Sequence, residues 1–257
     1  MNNKTLRVVM LCGHDRSSQI VYHSIRSEVD IVGLVLENHP SAVQMIRRRI
    51  KNLGFLNVTG QVLFIGFNRI ISKMSQNKIE KLISRFNLNN AVIPGDVITN
   101  VESVNDEEVI GLLKDLAPDA VVVNGTRIIS KGVLSSIDAP FINIHMGITP
   151  RYRGVHGGYW ALASRDADNC GVTVHLVDQG IDTGGILYQD TIHPGPSDNF
   201  NTYPIHQIAK AIPLLKRALR DVAEKRIRTK EGVMPSRLWY HPTLLHYFIN
   251  FIRIGVK

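Results

Sequence analysis

Short, largely apolar runs of five to nine residues recur along this chain, each closed by a turn signal. They are Leu6–Cys12, Val29–Glu37, Ala120–Asn124, Phe141–His145, Val172–Val177 and Ile186–Ile192. Runs this short, without strict polar alternation, read as strands buried on both faces. Helical periods lie between several of them: Ser17–Glu28, Ser41–Leu53, and a segment from Asn105 to Leu116 that stops before Pro118. Asn105 and Glu108 have the spacing of a capping box, with Asn105 as the cap. Strand–helix alternation of this kind dictates a βαβ series and a mainly parallel sheet. Such a sheet binds ligands outside the carboxyl ends of its strands, so the residues from His145 onward are the first place to look.

Two stretches do not follow the rhythm. Between residues 54 and 95 the periods conflict: Gln61–Ser72 fits a strand or a helix, and Asn77–Phe86 fits a helix. Beyond Pro196 the pattern changes to one long amphipathic period, Ile205, Ile208, Ile212, Leu215, Leu219 and Val222, expected to kink at Pro213. Two units are therefore expected, a catalytic domain over 1–196 and a C-terminal helix with an aromatic tail over 197–257.

Composition narrows the setting. The 257 residues are 44% hydrophobic and 20% charged, which excludes a disordered chain or a coiled coil. Cys12 and Cys170 cannot make a disulfide framework, and neither they nor the dispersed histidines have metal-ligand spacing. The apolar run from Val8 to Cys12 is too short for a signal sequence, and no stretch approaches the ~20 apolar residues of a spanning helix. A cytoplasmic protein without a metal is expected. The net charge of +8 favours anionic partners. Arg47, Arg48, Arg49 and Lys51 are expected on a solvated helix face. The Leu244–Ile254 run, broken by His246, Asn250 and Arg253, is expected to pack on its own domain or on a second subunit of a homodimer rather than on a membrane.

Chemistry concentrates in Phe141–Gly154 (FINIHMGITPRYRG) and Gly171–Leu187 (GVTVHLVDQGIDTGGIL). Asn143 and His145 are two apart on a strand and so share a face. Both can donate hydrogen bonds to one developing oxyanion. Asp182, in a glycine-rich loop between strands, can orient the imidazole and support its charged form. No serine or cysteine elbow accompanies them, so direct attack by an external nucleophile is indicated. His175, mid-strand, reads as structural.

Asn143-x-His145, Pro150, Gly154 and the Asp182-x-Gly184 loop together resemble the folate-dependent formyltransferases, the family of glycinamide ribonucleotide transformylase, methionyl-tRNA formyltransferase and the sugar N-formyltransferases. The stretch Asp119–Ser130 also looks like the family strand and turn that hold the pterin. The resemblance implies a Rossmann-like α/β domain with helices on both faces of the sheet. It implies N10-formyltetrahydrofolate as formyl donor, with Asn143, protonated His145 and Asp182 as the catalytic three. Main-chain groups of Gly125, Thr126, Arg127, Ile128 and Ile129, with Val177, Gly180 and Asp182, would hold the folate.

The acceptor is read from departures. Gly13 alone is a poor phosphate cradle, which disfavours glycinamide ribonucleotide, although Ser17 and Ser18 at a helix start could meet an anion. The chain is short for the barrel of the methionyl-tRNA enzymes. A sugar N-formyltransferase acting on a nucleotide-linked amino deoxysugar fits best, with lipopolysaccharide O-antigen assembly as its setting and no nucleic-acid partner. Arg151 and Arg153 would clamp the diphosphate, and Gly154, His156, Tyr159 and Trp160 would line the acceptor pocket. Another amine, such as glycinamide ribonucleotide or an amino acid, is the alternative. A non-catalytic module binding phosphate or RNA on the same fold is another.

Overall fold

The computed structural model describes residues 5–39 and 41–257. Seven strands form one sheet: β1 (Arg7–Cys12), β2 (Asp30–Glu37), β3 (Ile98–Val101), β4 (Ala120–Asn124), β5 (Phe141–His145), β7 (Gly171–Leu176) and β8 (Ile186–Thr191). Their order is β3-β2-β1-β4-β5-β7-β8. The first five run parallel, whereas β7 is antiparallel to β5 and β8 to β7. Two-residue strands β6 (Arg153–Gly154) and β9 (Leu238–Trp239) pair separately.

Alternation along β1 sorts the cores. Val8, Met10 and Cys12 join α1 (Arg16–Ile25) and α7 (Tyr203–Ala223) on one face. Val9 and Leu11 join α4 (Glu107–Leu116) and α5 (Lys131–Leu134) on the other. Strands buried on both sides need no polar alternation, which is why the apolar runs were legible. The residue-196 boundary falls between β8 and α7, and α7 buries Ile208, Ala211 and Leu215 in the same core as β1 and β4. It runs unbroken through Pro213.

Three expectations change. The ambiguous stretch is one helix, α3 (Phe55–Arg85), following α2 (Ala42–Leu53). Edge strand β3 carries too few apolar residues to stand out. The cap of α4 is Asp106, not Asn105. The Asn105 side chain instead crosses to the loop after β4, donating to the Ile128 carbonyl (2.9 Å) and accepting from the Ser130 amide (2.6 Å). A long-range pair of hydrogen bonds outcompetes a local cap that the sequence pattern favoured.

The strand order reverses between β1 and β4, and their carboxyl ends come close there. A Cβ on Gly13 would sit 2.5 Å from the Gly125 carbonyl oxygen, so that junction requires glycine. Two further helices are α6 (Gly157–Ala163), packed on β7 and α7, and α8 (Leu244–Ile254), packed on α3.

Candidate active site

A cleft of about 580 Å³ opens at the carboxyl ends of β4 and β5. Its walls come from the turn after β4 (Gly125–Ile129), the end of β5, the loop Val177–Asp182, and the segment Leu238–His241. The volume suits a small organic ligand.

Asn143, His145, His175 and Asp182 line one side of it. Asn143 lies directly opposite His175 in the antiparallel β5·β7 register, so both side chains leave the same face. The Asn143 amide nitrogen is 3.1 Å from His175 Nε2. His175 Nδ1 is 2.7 Å from the Leu176 carbonyl, which makes Nδ1 the donor and leaves Nε2 to accept from Asn143. One Asn143 N–H is thus fixed by the imidazole and the other remains for a ligand.

Asp182 bridges the two rings, with Oδ2 3.3 Å from His145 Nδ1 and Oδ1 3.6 Å from His175 Nε2. It also accepts from the Gly154 amide at 2.8 Å. Gly154 has φ +92°, and a Cβ there would meet the Trp239 carbonyl, so only glycine brings that amide to the carboxylate. Burial by itself raises the Asp182 carboxyl. The His145 charge and the Gly154 amide outweigh it, and the group lies below the usual aspartate value. Burial, with His175 and Arg153 adding, holds the His145 imidazole below its ordinary value against the pull of Asp182.

His145 departs from the role expected of it. Its Nε2 is 2.6 Å from the Tyr152 carbonyl, so both ring nitrogens face protein acceptors. In this conformation the ring orients Asp182 and the 147–154 turn rather than presenting a free N–H to the cleft. Asn143 keeps one amide N–H free toward the cleft, and His175, read from sequence as structural, holds the other. Nothing in the sequence marks His175, because its role comes from strand register.

The turn after β4 is braced from behind. Glu37, buried at the end of β2, accepts from the Arg127 amide (2.9 Å) and the Val104 amide (2.9 Å) and pairs with the Arg127 guanidinium at 2.6 Å. The Arg127 N–H is therefore engaged inside the protein, and the Ile128 carbonyl already accepts one hydrogen bond from Asn105. Gly125, Thr126, Arg127, Ile128 and Ile129 all line the cleft, as do Val177, Gly180 and Asp182.

The expected acceptor contacts divide. Gly154 and His156 line the cleft. Arg151 does not, because its guanidinium is held by Asp166 at 2.8 Å. Arg153 donates to the Ile181 carbonyl at 3.0 Å, bracing the Asp182 loop instead of clamping a diphosphate. Tyr159 is 2% exposed in an aromatic core with Phe64 and Phe200, and Trp160 stacks on Trp239 at 4.7 Å. Large rings flanking a buried turn serve packing here. Residues that sequence reasoning missed take their place: Arg49 of α2, Gln61 of α3, Tyr240 and His241. His241 Nδ1 is 2.9 Å from His156 Nε2. They come from segments distant in sequence, and no local spacing announces them. Ser17 and Ser18 accept from the Asn124 amide at 2.9 and 3.0 Å, which engages the start of α1 internally.

Neither cysteine is placed for nucleophilic work. Burial pushes both thiols up to about 12, only partly offset at Cys12 by the Ser18 hydroxyl. An amide donor beside a carboxylate–imidazole pair, at the carboxyl edge of the sheet, is an arrangement that can stabilise a developing oxyanion and accept a proton without a covalent enzyme intermediate.

Comparison with known proteins agrees. The family described as Formyl transferase matches residues 62–208. The chain belongs to the formyl transferase family. It is 41% identical over 98 residues to the methionyl-tRNA formyltransferase of Finegoldia magna (38% of this chain, 31% of that protein). It is 34% identical over 127 residues to that of Anaeromyxobacter dehalogenans strain 2CP-1 (49% and 40%). The chain therefore spans less than half the length of these relatives. Its fold matches a sugar N-formyltransferase from Shewanella (TM-score 0.56, 15% identity, covering 91% of this chain and 76% of that one). It also matches glycinamide ribonucleotide transformylase 1 from Symbiobacterium toebii (TM-score 0.58, 17% identity, 91% and 94%).

Proposed function

We propose that this chain transfers a formyl group from N10-formyltetrahydrofolate to the primary amine of a nucleotide-linked amino deoxysugar. The observation that carries the chemistry is the Asn143–His175–Asp182–His145 cluster on one wall of the cleft. Bound reduced folate supplies the one-carbon unit as an activated formyl group. The cleft is large enough for its pterin, and the apolar Ile128, Ile129 and Val177 give flat contact surface while Gly125 and Gly180 let main chain approach closely.

Asn143 directs its free amide N–H at the oxygen on which charge develops. His175 keeps that amide from rotating. Asp182, held ionised by the His145 and Gly154 N–H groups, is positioned to take up the proton released by the attacking amine and, directly or through water, to return it to N10 of the folate as the bond from the formyl carbon to N10 breaks. His145 fixes the carboxylate and anchors the turn carrying Gly154.

Two features support the acceptor. Arg49 brings a cation to the cleft beside His156 and His241, suited to an anionic portion of the acceptor. The turn after β1 holds a single glycine, Gly13, which disfavours a ribonucleotide phosphate there. A second reading, methionyl-tRNA as acceptor, is favoured by the 41% identity with the Finegoldia magna enzyme over the shared segment. The test supplies formyl donor with nucleotide amino sugars, glycinamide ribonucleotide or methionyl-tRNA and reads the formylated product by mass spectrometry. Turnover of a sugar amine that vanishes in Asn143→Ala is expected. Faster turnover of methionyl-tRNA or of glycinamide ribonucleotide overturns the acceptor assignment, and no transfer to any amine overturns the activity.

A further inference from the structure

Helix α3 is apolar on two opposite sides. Its inner face packs Val58, Phe64, Ile79 and Leu82 against the protein. Its outer face carries Leu56, Leu63 and Ile70, seven residues apart, at 85%, 56% and 59% exposure, with Met74 one turn beyond. A surface helix with one apolar stripe needs no partner, whereas a second stripe facing outward does.

The stripe is wider than one helix. Phe67, which lies between Leu63 and Ile70 on the helix surface, meets Phe248 of α8 with ring centroids 5.2 Å apart. Leu245 and Ile252, on either side of Phe248, are 68% and 78% exposed. Helix α2 leads into α3 without burying a single residue. Its Val43, Ile46, Ile50 and Leu53 recur at steps of three and four, beside an arc formed by Arg47, Arg48 and Lys51.

Charge selects what covers this face. No aspartate or glutamate occurs from Asn38 to Ile79, while the same stretch holds seven lysines and arginines. None occurs after Glu231 either, through the whole of α8. Among the described residues, Arg47, Arg48, Lys51, Arg69 and Lys73 meet no carboxylate. A second copy of this chain would set cation against cation across the same patch. An anionic bilayer offers acyl chains for the stripe and headgroups for the arginines.

We propose that α2, α3 and α8 form a docking face for an anionic membrane surface. No helix among the described residues is long and apolar enough to cross a bilayer, so the contact lies along the surface. Arg49 and Gln61 belong to these helices and line the cleft, so docking keeps one cleft wall next to the headgroups. A solvated Arg47–Lys51 face and a tail away from membranes are what those segments suggest alone; the outward apolar face of α3 beside them changes both.

Flotation of the full chain with phosphatidylcholine vesicles, with and without phosphatidylglycerol, tests the proposal without any turnover, so its outcome is independent of the formyl acceptor. Binding to the anionic vesicles only, weakened by salt, is expected. The variant L56S/L63S/I70S is expected to lose it at least about tenfold, with an unchanged circular dichroism spectrum. R47E/R48E is expected to do the same by about tenfold or more, and carries the test if the first variant does not fold. No vesicle binding, or binding that survives both variants, overturns the proposal. So does a dimer in solution, or tRNA binding in the absence of vesicle binding, that disappears in the same variants.

Discussion

Asp182 holds two imidazoles and one backbone amide at once, and Asn143 holds to one of those imidazoles. At this scale the legible part is identity: Asn143, His145 and Asp182 stand out as residue types in a pattern. Their division of labour is not legible, because it depends on which ring nitrogen meets which acceptor. Replacing Asn143 by Ala removes the free donor and is expected to lower kcat by about a hundred- to a thousandfold, with Tm nearly unchanged. Steady-state kinetics alongside thermal melting checks both. His175→Ala leaves Asn143 chemically intact but free to rotate. A kcat loss of about tenfold is expected, smaller than that of Asn143→Ala, with donor KM little changed. Equal losses in the two variants, or a shift confined to KM, would contradict the positioning role.

Among the elements, six of the seven strands of the main sheet are legible in the sequence, whereas edge strand β3 and the single helix within residues 54–95 are not. A strand buried on both faces declares itself by a short apolar run, as Ala120–Asn124 does. Helix α3 has apolar residues inside and outside, so no single period dominates and its sequence fits two structures. Local capping signals were overruled where a side chain found a distant partner, as Asn105 did at Ile128 and Ser130. The same distant bracing makes the turn after β4 depend on Glu37 of β2. Glu37→Gln is expected to loosen Gly125–Ile129 and raise the folate KM several-fold more than it lowers kcat. Its stability cost is about 1–2 kcal/mol, since Arg127, 35% exposed, regains water in place of its counter-charge. Folate titration and denaturant unfolding measure the two effects separately. For the opposite face of the sheet, Leu215→Ala empties a fully buried site on α7 and is expected to cost about 3 kcal/mol in chemical denaturation.

For the whole molecule, pH is the informative variable. Burial, followed by the His241 and Arg49 charges, holds His156 well below its ordinary value. Burial and then Arg49 bring His241 down to about 4. Below the ordinary histidine value of 6.5 the unfolded chain takes up protons that the folded chain refuses. Stability is therefore expected to be level around neutrality and to fall as pH drops from about 6.5 toward 4. His241→Asn should flatten that slope in a Tm-against-pH series, and an unchanged slope would refute the assignment. The sequence by itself determined the strand–helix rhythm, the mainly parallel sheet and the cluster at its carboxyl edge. Burial on both faces writes those features into consecutive residues. Only the tertiary structure decided that His175 supports Asn143, that Arg151, Tyr159 and Trp160 turn away from the cleft, and that Arg49, Gln61 and His241 face it. Those assignments arise from register and from contacts between segments far apart in the chain, and no local pattern of residues encodes a distance between them.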